Sequence, residues 1–350
     1  MAMAQTGEPP LLEVRDLVVS IRALEGTAQV LDHVDLQVPR GRIVGVVGES
    51  GCGKSTLIRA ILGILPRGGR VDAGSIMFDG KDLLAMGEAE LSARIRGKAI
   101  GFIPQDPFLA FNPVFRVGTQ LLEILAWHED DGAAGRKGLA GRFNRAVRRR
   151  RRARLIELLR AVQIPDPEQA LERYPHQFSG GQRQRLLIAG ALACRPRLVI
   201  ADEPTTALDV TTQQQILGLL KDLAADFAVS MIFVTHDFGV VAELCDEVTV
   251  MYAGQSVEHG PTGEIIERPR HPYSQALLGC HPDRSSELVG IPGSVPSLLA
   301  PPAGCRFHPR CEQARAACQA RRPAVVPVGA GHAVACVLYH SDQPGQPRDG

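Results

Sequence analysis

Gly48-Glu49-Ser50-Gly51-Cys52-Gly53-Lys54-Ser55-Thr56 follows directly on the apolar run Ile43-Val44-Gly45-Val46-Val47. The nine residues fit G-x-x-x-x-G-K-[ST], a phosphate-binding loop. The run before them reads as a buried strand, and a helix is expected to open at Lys54. Glycines let the backbone curl, so that successive N–H groups point inward at phosphate oxygens. Lys54 offers a fixed positive charge to β- and γ-phosphates, and the Ser55 hydroxyl suits Mg²⁺. The helix aims the positive end of its dipole at the same anions. The flanking strand and helix set the stretch apart from a glycine-rich turn that fits by chance.

The 350 residues suffice for one large or two modest domains. Lys and Arg number 39 against 38 Asp and Glu, a net charge of +1, so no global field favours nucleic acid or an anionic membrane. Met1-Ala2-Met3-Ala4-Gln5 has neither a basic nor an apolar region, which predicts no signal peptide. No stretch approaches the about 18 apolar residues needed to span a bilayer, so any membrane role is expected to be peripheral. Eight cysteines with no export signal point to reduced thiols or metal ligation, not disulfides.

Short strands are expected at 11–14, 18–21 and 34–38, and buried strands at 99–104, 198–201 and 231–234. Helices are expected from Lys54 to about Ile64, over much of 118–172, and at 183–193. Alternating strands and helices imply a mostly parallel sheet covered on both faces. Pro and Gly become dense after about residue 266, which predicts a separate small tail domain.

Further segments narrow the chemistry. Leu198-Val199-Ile200-Ala201-Asp202-Glu203 is an apolar strand ending in two acids. The first acid can hold Mg²⁺ beside a phosphate loop, and the second can orient and deprotonate an attacking water. Ser179-Gly180-Gly181-Gln182 puts a hydroxyl and flexible N–H donors ahead of a helix, a second phosphate-grade site that one domain does not need for itself. His236 follows a strand and Gln105 ends another. Alone, each is more often a turn, a loop start or a structural histidine. Order and spacing together change that.

Together these segments resemble the ATP-binding cassette (ABC) ATPases over about residues 11–265. The matching parts are the Walker A loop 48–56, the Q-loop Gln105, and the signature Phe178-Ser179-Gly180-Gly181-Gln182. Walker B ends at Asp202-Glu203, Ala207-Leu208-Asp209 is the D-loop, and His236 is the switch histidine. The resemblance implies an α/β fold: an ABC-type P-loop NTPase core with a mostly parallel sheet, an inserted helical subdomain at about 106–190, and a small cysteine-containing C-terminal extension at 266–340. Residues 1–10 and 341–350 are expected as flexible ends. It also implies a head-to-tail dimer, with each ATP between the Walker A of one subunit and the signature of the other. By resemblance, Gly48, Ser50, Gly51, Cys52, Gly53, Lys54, Ser55 and Thr56 hold ATP from one side. Ser179, Gly180, Gly181, Gln182 and Asp209 meet it from the other. Glu203 is the general base or water-orienting group, His236 touches the γ-phosphate, and Ser55, Gln105 and Asp202 serve Mg²⁺. One departure is clear: the family usually stacks adenine on an aromatic residue, and around Ile21 there is none, nor any Phe, Tyr or Trp before Phe78. Cys52, beside Lys54 at a helix start, is expected to favour its thiolate and to be shielded by nucleotide.

The tail adds His271-Pro272-Tyr273-Ser274-Gln275-Ala276-Leu277-Leu278, Ile291-Pro292-Gly293-Ser294-Val295-Pro296 and Gly304-Cys305-Arg306-Phe307-His308-Pro309-Arg310-Cys311. With Tyr174-Pro175-His176-Gln177, it resembles the ATPase subunits of oligopeptide, dipeptide and nickel importers, the dipeptide-importer D type above all. Such a chain sits on the cytoplasmic face of the inner membrane, with two permease subunits, an extracytoplasmic binding protein, and itself or a second ATPase chain as partner. The cargo class is peptide, or nickel or another small solute; a soluble non-transport ABC ATPase is the remaining alternative. Nucleic acid is not an expected partner. Cys305, Cys311, Cys318 and Cys336 are spaced C-x₅-C-x₆-C-x₁₇-C. Four soft thiolates suit iron–sulfur or zinc, and the wide spacing leans away from a zinc ribbon. The resemblance favours a [4Fe–4S] cluster, with zinc or free thiols as the alternatives. Arg148 to Arg152 with Arg154 read either as a solvated helix face or as a contact for lipid headgroups or acidic loops, and 128–147 as a mobile insertion.

Overall fold

The computed structural model describes residues 8–128, 145–206, 208–280 and 290–340. Ala207 of the D-loop, both chain ends and most of the 128–147 insertion lie outside the described residues. The chain divides into two compact units, one built from 1–37, 44–82 and 235–350, the other from 38–43 and 83–234.

In the first unit, β1 (Leu12–Ala23) lies antiparallel to β4 (Gly69–Phe78), flanked by β2 (Gly26–Val38) and β5 (Lys81–Asp82). The two short strands expected at 11–14 and 18–21 are one strand, with its register broken between Arg15 and Val18. Asp16 causes the break: it is left-handed, at φ 51°, and its N–H donates to Asp35 Oδ1 at 2.8 Å. Asp visits that region more readily than most side chains.

The second sheet of this unit carries the phosphate loop. β3 (Ile43–Val47) is buried at every residue and runs parallel to β9 (Glu247–Tyr252), with Val47 opposite Val250. β9 turns into antiparallel β10 (Gln255–Pro261) through Ala253 and Gly254, both at positive φ, a type I′ hairpin. The tail does not stand apart. Its strands β11 (Val326–Gly329) and β12 (His332–Val334) add to β10, with Glu258 opposite Val334. Glu258 and His332 seal the joint with a buried 2.8 Å contact. Tail helix α8 (Pro272–Gly279) opens on His271, whose Nδ1 accepts the Tyr273 N–H at 3.0 Å. Between them lie α6 (Phe238–Leu244) and α7 (Thr262–Glu267).

In the second unit, β6 (Ile100–Ile103), β7 (Leu198–Asp202) and β8 (Ser230–Thr235) are parallel, with β7 in the middle. Burial on both faces explains the apolar runs of β7 and β8, whereas β6 is the edge strand and exposes Phe102. The expected helical stretch resolves into α2 (Val117–His128) and α3 (Arg145–Ala161), followed by α4 (Gly180–Leu192) and α5 (Val210–Asp226). The arginine run is not a uniform solvated face. Arg151 is buried, and Arg152 pairs with Glu172 at 2.8 Å, as Arg116 does at 2.7 Å. Among the described residues no helix is long and apolar enough to cross a membrane.

Candidate functional site

The phosphate loop bridges β3 and α1 (Lys54–Ile61). Gly53 caps the helix at φ 105°, a conformation only glycine adopts without strain. Lys54 is buried, and its ammonium donates to the carbonyls of Gly48 at 2.7 Å and Glu49 at 3.1 Å. The loop is thus closed on its own lysine, the charge it would present to phosphate. Glu49 is tied twice more. Its N–H donates to the Tyr273 hydroxyl at 2.9 Å, and its carboxylate meets the Arg310 guanidinium at 2.8 and 3.2 Å. Burial pushes the Tyr273 phenol up, so the hydroxyl keeps its proton. Neither contact was foreseen from sequence, although both residues stand in the tail motifs.

Cys52 corrects an expectation. It is 1 % exposed, and burial pushes its thiol up despite the neighbouring Lys54. Desolvation of the anion outweighs the attraction of one ammonium. The thiolate is therefore disfavoured in the loop.

In the second unit, the parallel register of β6 and β7 sets Ile103 opposite Ala201, which brings the residues just past both strands together. Gln105 Nε2 donates to Glu203 Oε2 at 3.1 Å, and the Thr206 hydroxyl donates to the same oxygen at 3.2 Å. Glu203 is left-handed at φ 46°, and its N–H donates to the Val234 carbonyl at 2.9 Å. A strained non-glycine backbone held by its neighbours is common where geometry serves function. Thr206 was missed because a threonine in a loop carries no sequence signal of its own. Asp202 closes β7, opposite Val234.

Ser179 caps α4. The Gln182 N–H donates to its hydroxyl at 3.3 Å, and its own N–H donates to Gln182 Oε1 at 3.1 Å. A capping box of this kind satisfies the N–H groups of Ser179 and Gln182 and leaves those of Gly180 and Gly181, between them, for a ligand. A Cβ on Gly181 would stand 2.6 Å from Thr212 Cγ2, so a side chain there collides unless Thr212 shifts. Asp209 caps α5 and accepts from the Thr212 N–H at 2.9 Å and its hydroxyl at 2.7 Å. Those bonds lower the Asp209 carboxyl below its usual value. His236 is exposed at the end of β8.

At the β1–β2 turn, Ser20, Arg22, Ala23, Leu24, Gly26, Thr27, Gly68 and Arg70 line an open depression of about 500 Å³. It lies where an adenine aromatic was sought beside Ile21, and none of its walls is aromatic.

In the tail, Cys305, Cys311, Cys318 and Cys336 all line one pocket with His271 and Phe307. Burial pushes the thiols of Cys305 and Cys336 up to about 11, with the neighbouring thiols adding to it; Cys311 is raised by the same causes. His271 is fully buried, which pulls it down to about 4. Its Nδ1 accepts a backbone N–H, so Nε2 carries the proton, and that Nε2 has no hydrogen-bond partner. A convergent set of thiols beside an unsatisfied N–H donor suits an anionic metal–thiolate group. Among the described residues, however, no three of His, Cys, Asp and Glu are placed to hold a single metal ion.

Comparison with known proteins accounts for both units. The family described as ABC transporter matches residues 31–206, and the oligopeptide/dipeptide transporter C-terminal region matches 257–318. This chain belongs to the ABC transporter ATPases, in the branch that carries the oligopeptide/dipeptide C-terminal region. The oligopeptide transport ATP-binding protein OppD of Bacillus subtilis is 44 % identical over 339 residues, 95 % of this chain and 90 % of that one. The dipeptide transport ATP-binding protein DppD of Haemophilus influenzae is 41 % identical, covering 91 % and 93 %. Among solved structures, the dimeric ATP-binding cassette MJ0796 bound to ADP and Pi shares 26 % identity at a TM-score of 0.59, over 72 % of this chain and 98 % of that one.

Proposed function

We propose that this chain couples ATP hydrolysis to the import of di- and oligopeptides through two permease subunits. The likeness to peptide transport ATP-binding proteins over nine-tenths of the chain supports the cargo class. The single observation that carries the chemistry is Glu203, presented at the end of β7 and fixed through one carboxylate oxygen by Gln105 and Thr206.

In this reading Lys54 leaves the carbonyls of Gly48 and Glu49 for the β- and γ-phosphates. Ser55, Gln105 and Asp202 hold Mg²⁺, Glu203 orients and deprotonates the attacking water, and His236 contacts the γ-phosphate. The first turn of α4, with Ser179 and Gly181, serves the nucleotide of a facing ATPase chain, a second copy or a related subunit. Gln105 reports the γ-phosphate to the permeases. The protein works on the cytoplasmic face of the inner membrane, and an extracytoplasmic binding protein delivers the peptide. The cassette takes residues 11–265 and the extension 266–340. Reconstitution with the permeases in vesicles tests this directly: labelled di- and oligopeptide is expected to accumulate only with ATP. Nickel uptake without peptide uptake overturns the cargo.

Adenine lies in the depression at the β1–β2 turn, on Leu24 or a guanidinium of Arg22 or Arg70. Without an aromatic platform, and so without the about 1 kcal/mol such stacking adds, base selectivity is weak. The ratio of kcat/KM for ATP over GTP is expected within about tenfold. A ratio far above that places an unrecognised base contact in the site.

Cys305, Cys311, Cys318 and Cys336 hold a [4Fe–4S] cluster that ties the tail together. The support is their shared pocket and the unsatisfied His271 Nε2. The reaction moves no electrons, so the group is structural. Anaerobically purified protein is expected to contain iron and acid-labile sulfide and to lose both in Cys311→Ser. Stoichiometric zinc without sulfide overturns the cluster, and no metal returns the four residues to free thiols.

A further inference from the structure

Glu49 is held at three points, and two of them come from the tail. Arg310 meets both carboxylate oxygens, and its side chain is 4 % exposed against 24 % for Glu49. The guanidinium is itself fixed: Nε donates to the Pro292 carbonyl and Nη2 to that of Ile291, both at 2.9 Å. Nη1 also donates to the Tyr252 hydroxyl at 3.2 Å. Tyr273 is fully buried, packs against Tyr252 with ring centroids 4.6 Å apart and planes tilted by 55°, and accepts the Glu49 N–H. The third point is the Glu49 carbonyl, which accepts from Lys54. One loop residue therefore connects the phosphate-binding lysine to a segment 261 positions away.

We infer that Arg310 and Tyr273 are positioning residues that clamp Glu49 and hold the backbone of the phosphate loop in place ahead of nucleotide binding. The inference rests on reading 48–56 as the nucleotide loop. A loop with glycines at 48, 51 and 53 is otherwise free to wander, and freedom lost at binding weakens affinity. A clamp in place beforehand removes that loss. Because it acts equally on bound substrate and transition state, it belongs in KM and not in kcat. The clamp has a second end. Arg310 precedes Cys311, and Phe307, which packs on Tyr252 at 5.1 Å, lines the four-cysteine pocket. Order in the tail is thereby passed to the loop.

The test uses the full chain, fluorescent ATP-analogue binding and steady-state hydrolysis, with Arg310→Gln, Arg310→Lys, Glu49→Gln, Tyr273→Phe and the double variant Glu49→Gln/Arg310→Gln. Arg310→Gln and Glu49→Gln are each expected to raise Kd and KM roughly tenfold, with kcat within about twofold. The double variant is expected to be no weaker than either single one. Tyr273→Phe raises Kd by about threefold. Arg310→Lys restores little, since an ammonium cannot span both oxygens. Melting temperature, read on each variant, separates loop order from collapse of the tail. Unchanged KM, strictly additive losses, or kcat falling in step with melting temperature overturns the clamp. A wild-type chain that binds no analogue overturns the nucleotide-loop reading and the clamp together.

Discussion

Glu203→Gln is expected to stop steady-state hydrolysis, a fall of about 10²–10⁴-fold, while ATP stays bound. The substitution is well matched to the site. An amide oxygen can still accept from Gln105 Nε2 and the Thr206 hydroxyl, so the local frame survives. The left-handed backbone at φ 46° is no harder for Gln than for Glu. What disappears is the basic oxygen that takes the proton of water. Lys54, Ser55 and the loop amides are untouched, so binding energy is retained and the ATP-bound dimer accumulates. The check is single-turnover hydrolysis in the reconstituted transporter beside equilibrium binding of ATP. Turnover within a few-fold of wild type removes Glu203 from the role of base and leaves positioning by other groups to explain the rate.

Gly181→Val is expected to lower hydrolysis by about 10²–10³-fold, the scale of losing one preorganised donor to a charged transition state. The cause is steric. A Cβ at 181 falls 2.6 Å from Thr212 Cγ2, so either Thr212, whose hydroxyl is held by Asp209, or the start of α4 must shift. The isolated chain is nonetheless expected to bind ATP with affinity near that of wild type, because its own phosphate loop is unaltered. That contrast is the signature of action on a partner's nucleotide. Ser179→Ala serves as the milder companion: it removes the cap hydroxyl, worth about 1 kcal/mol of helix stability, without a collision. Titration calorimetry on the isolated chains and hydrolysis by the assembled transporter decide the matter. Parallel loss of binding and hydrolysis in both variants places the α4 N-terminus on the chain's own nucleotide instead.

The strand, loop and helix at 43–61 were legible because each demand is local. An apolar run, glycines for a tight curl and a lysine at a fixed offset need only neighbouring residues. The Asp202-Glu203 pair at the end of an apolar strand was legible for the same reason. The four cysteines stood out by type and number alone, but that they line one pocket is decided by the fold. Other features depend on residues that meet only after folding. The break at Asp16 needs the Asp35 carboxylate from the next strand. The Gln105–Glu203 contact needs the parallel register of β6 and β7. Cys52 reads as reactive beside Lys54, but burial reverses its preference, and burial is not written in a nine-residue motif. The tail reads as a separate piece because its composition changes. The structure instead pairs its strands with β10 and lays Arg310 on Glu49. Periodicity and spacing report what a segment requires of its neighbours in sequence. Side-chain contacts across 261 positions are chosen by packing, charge pairing and desolvation in the folded chain, and only the tertiary structure fixes those.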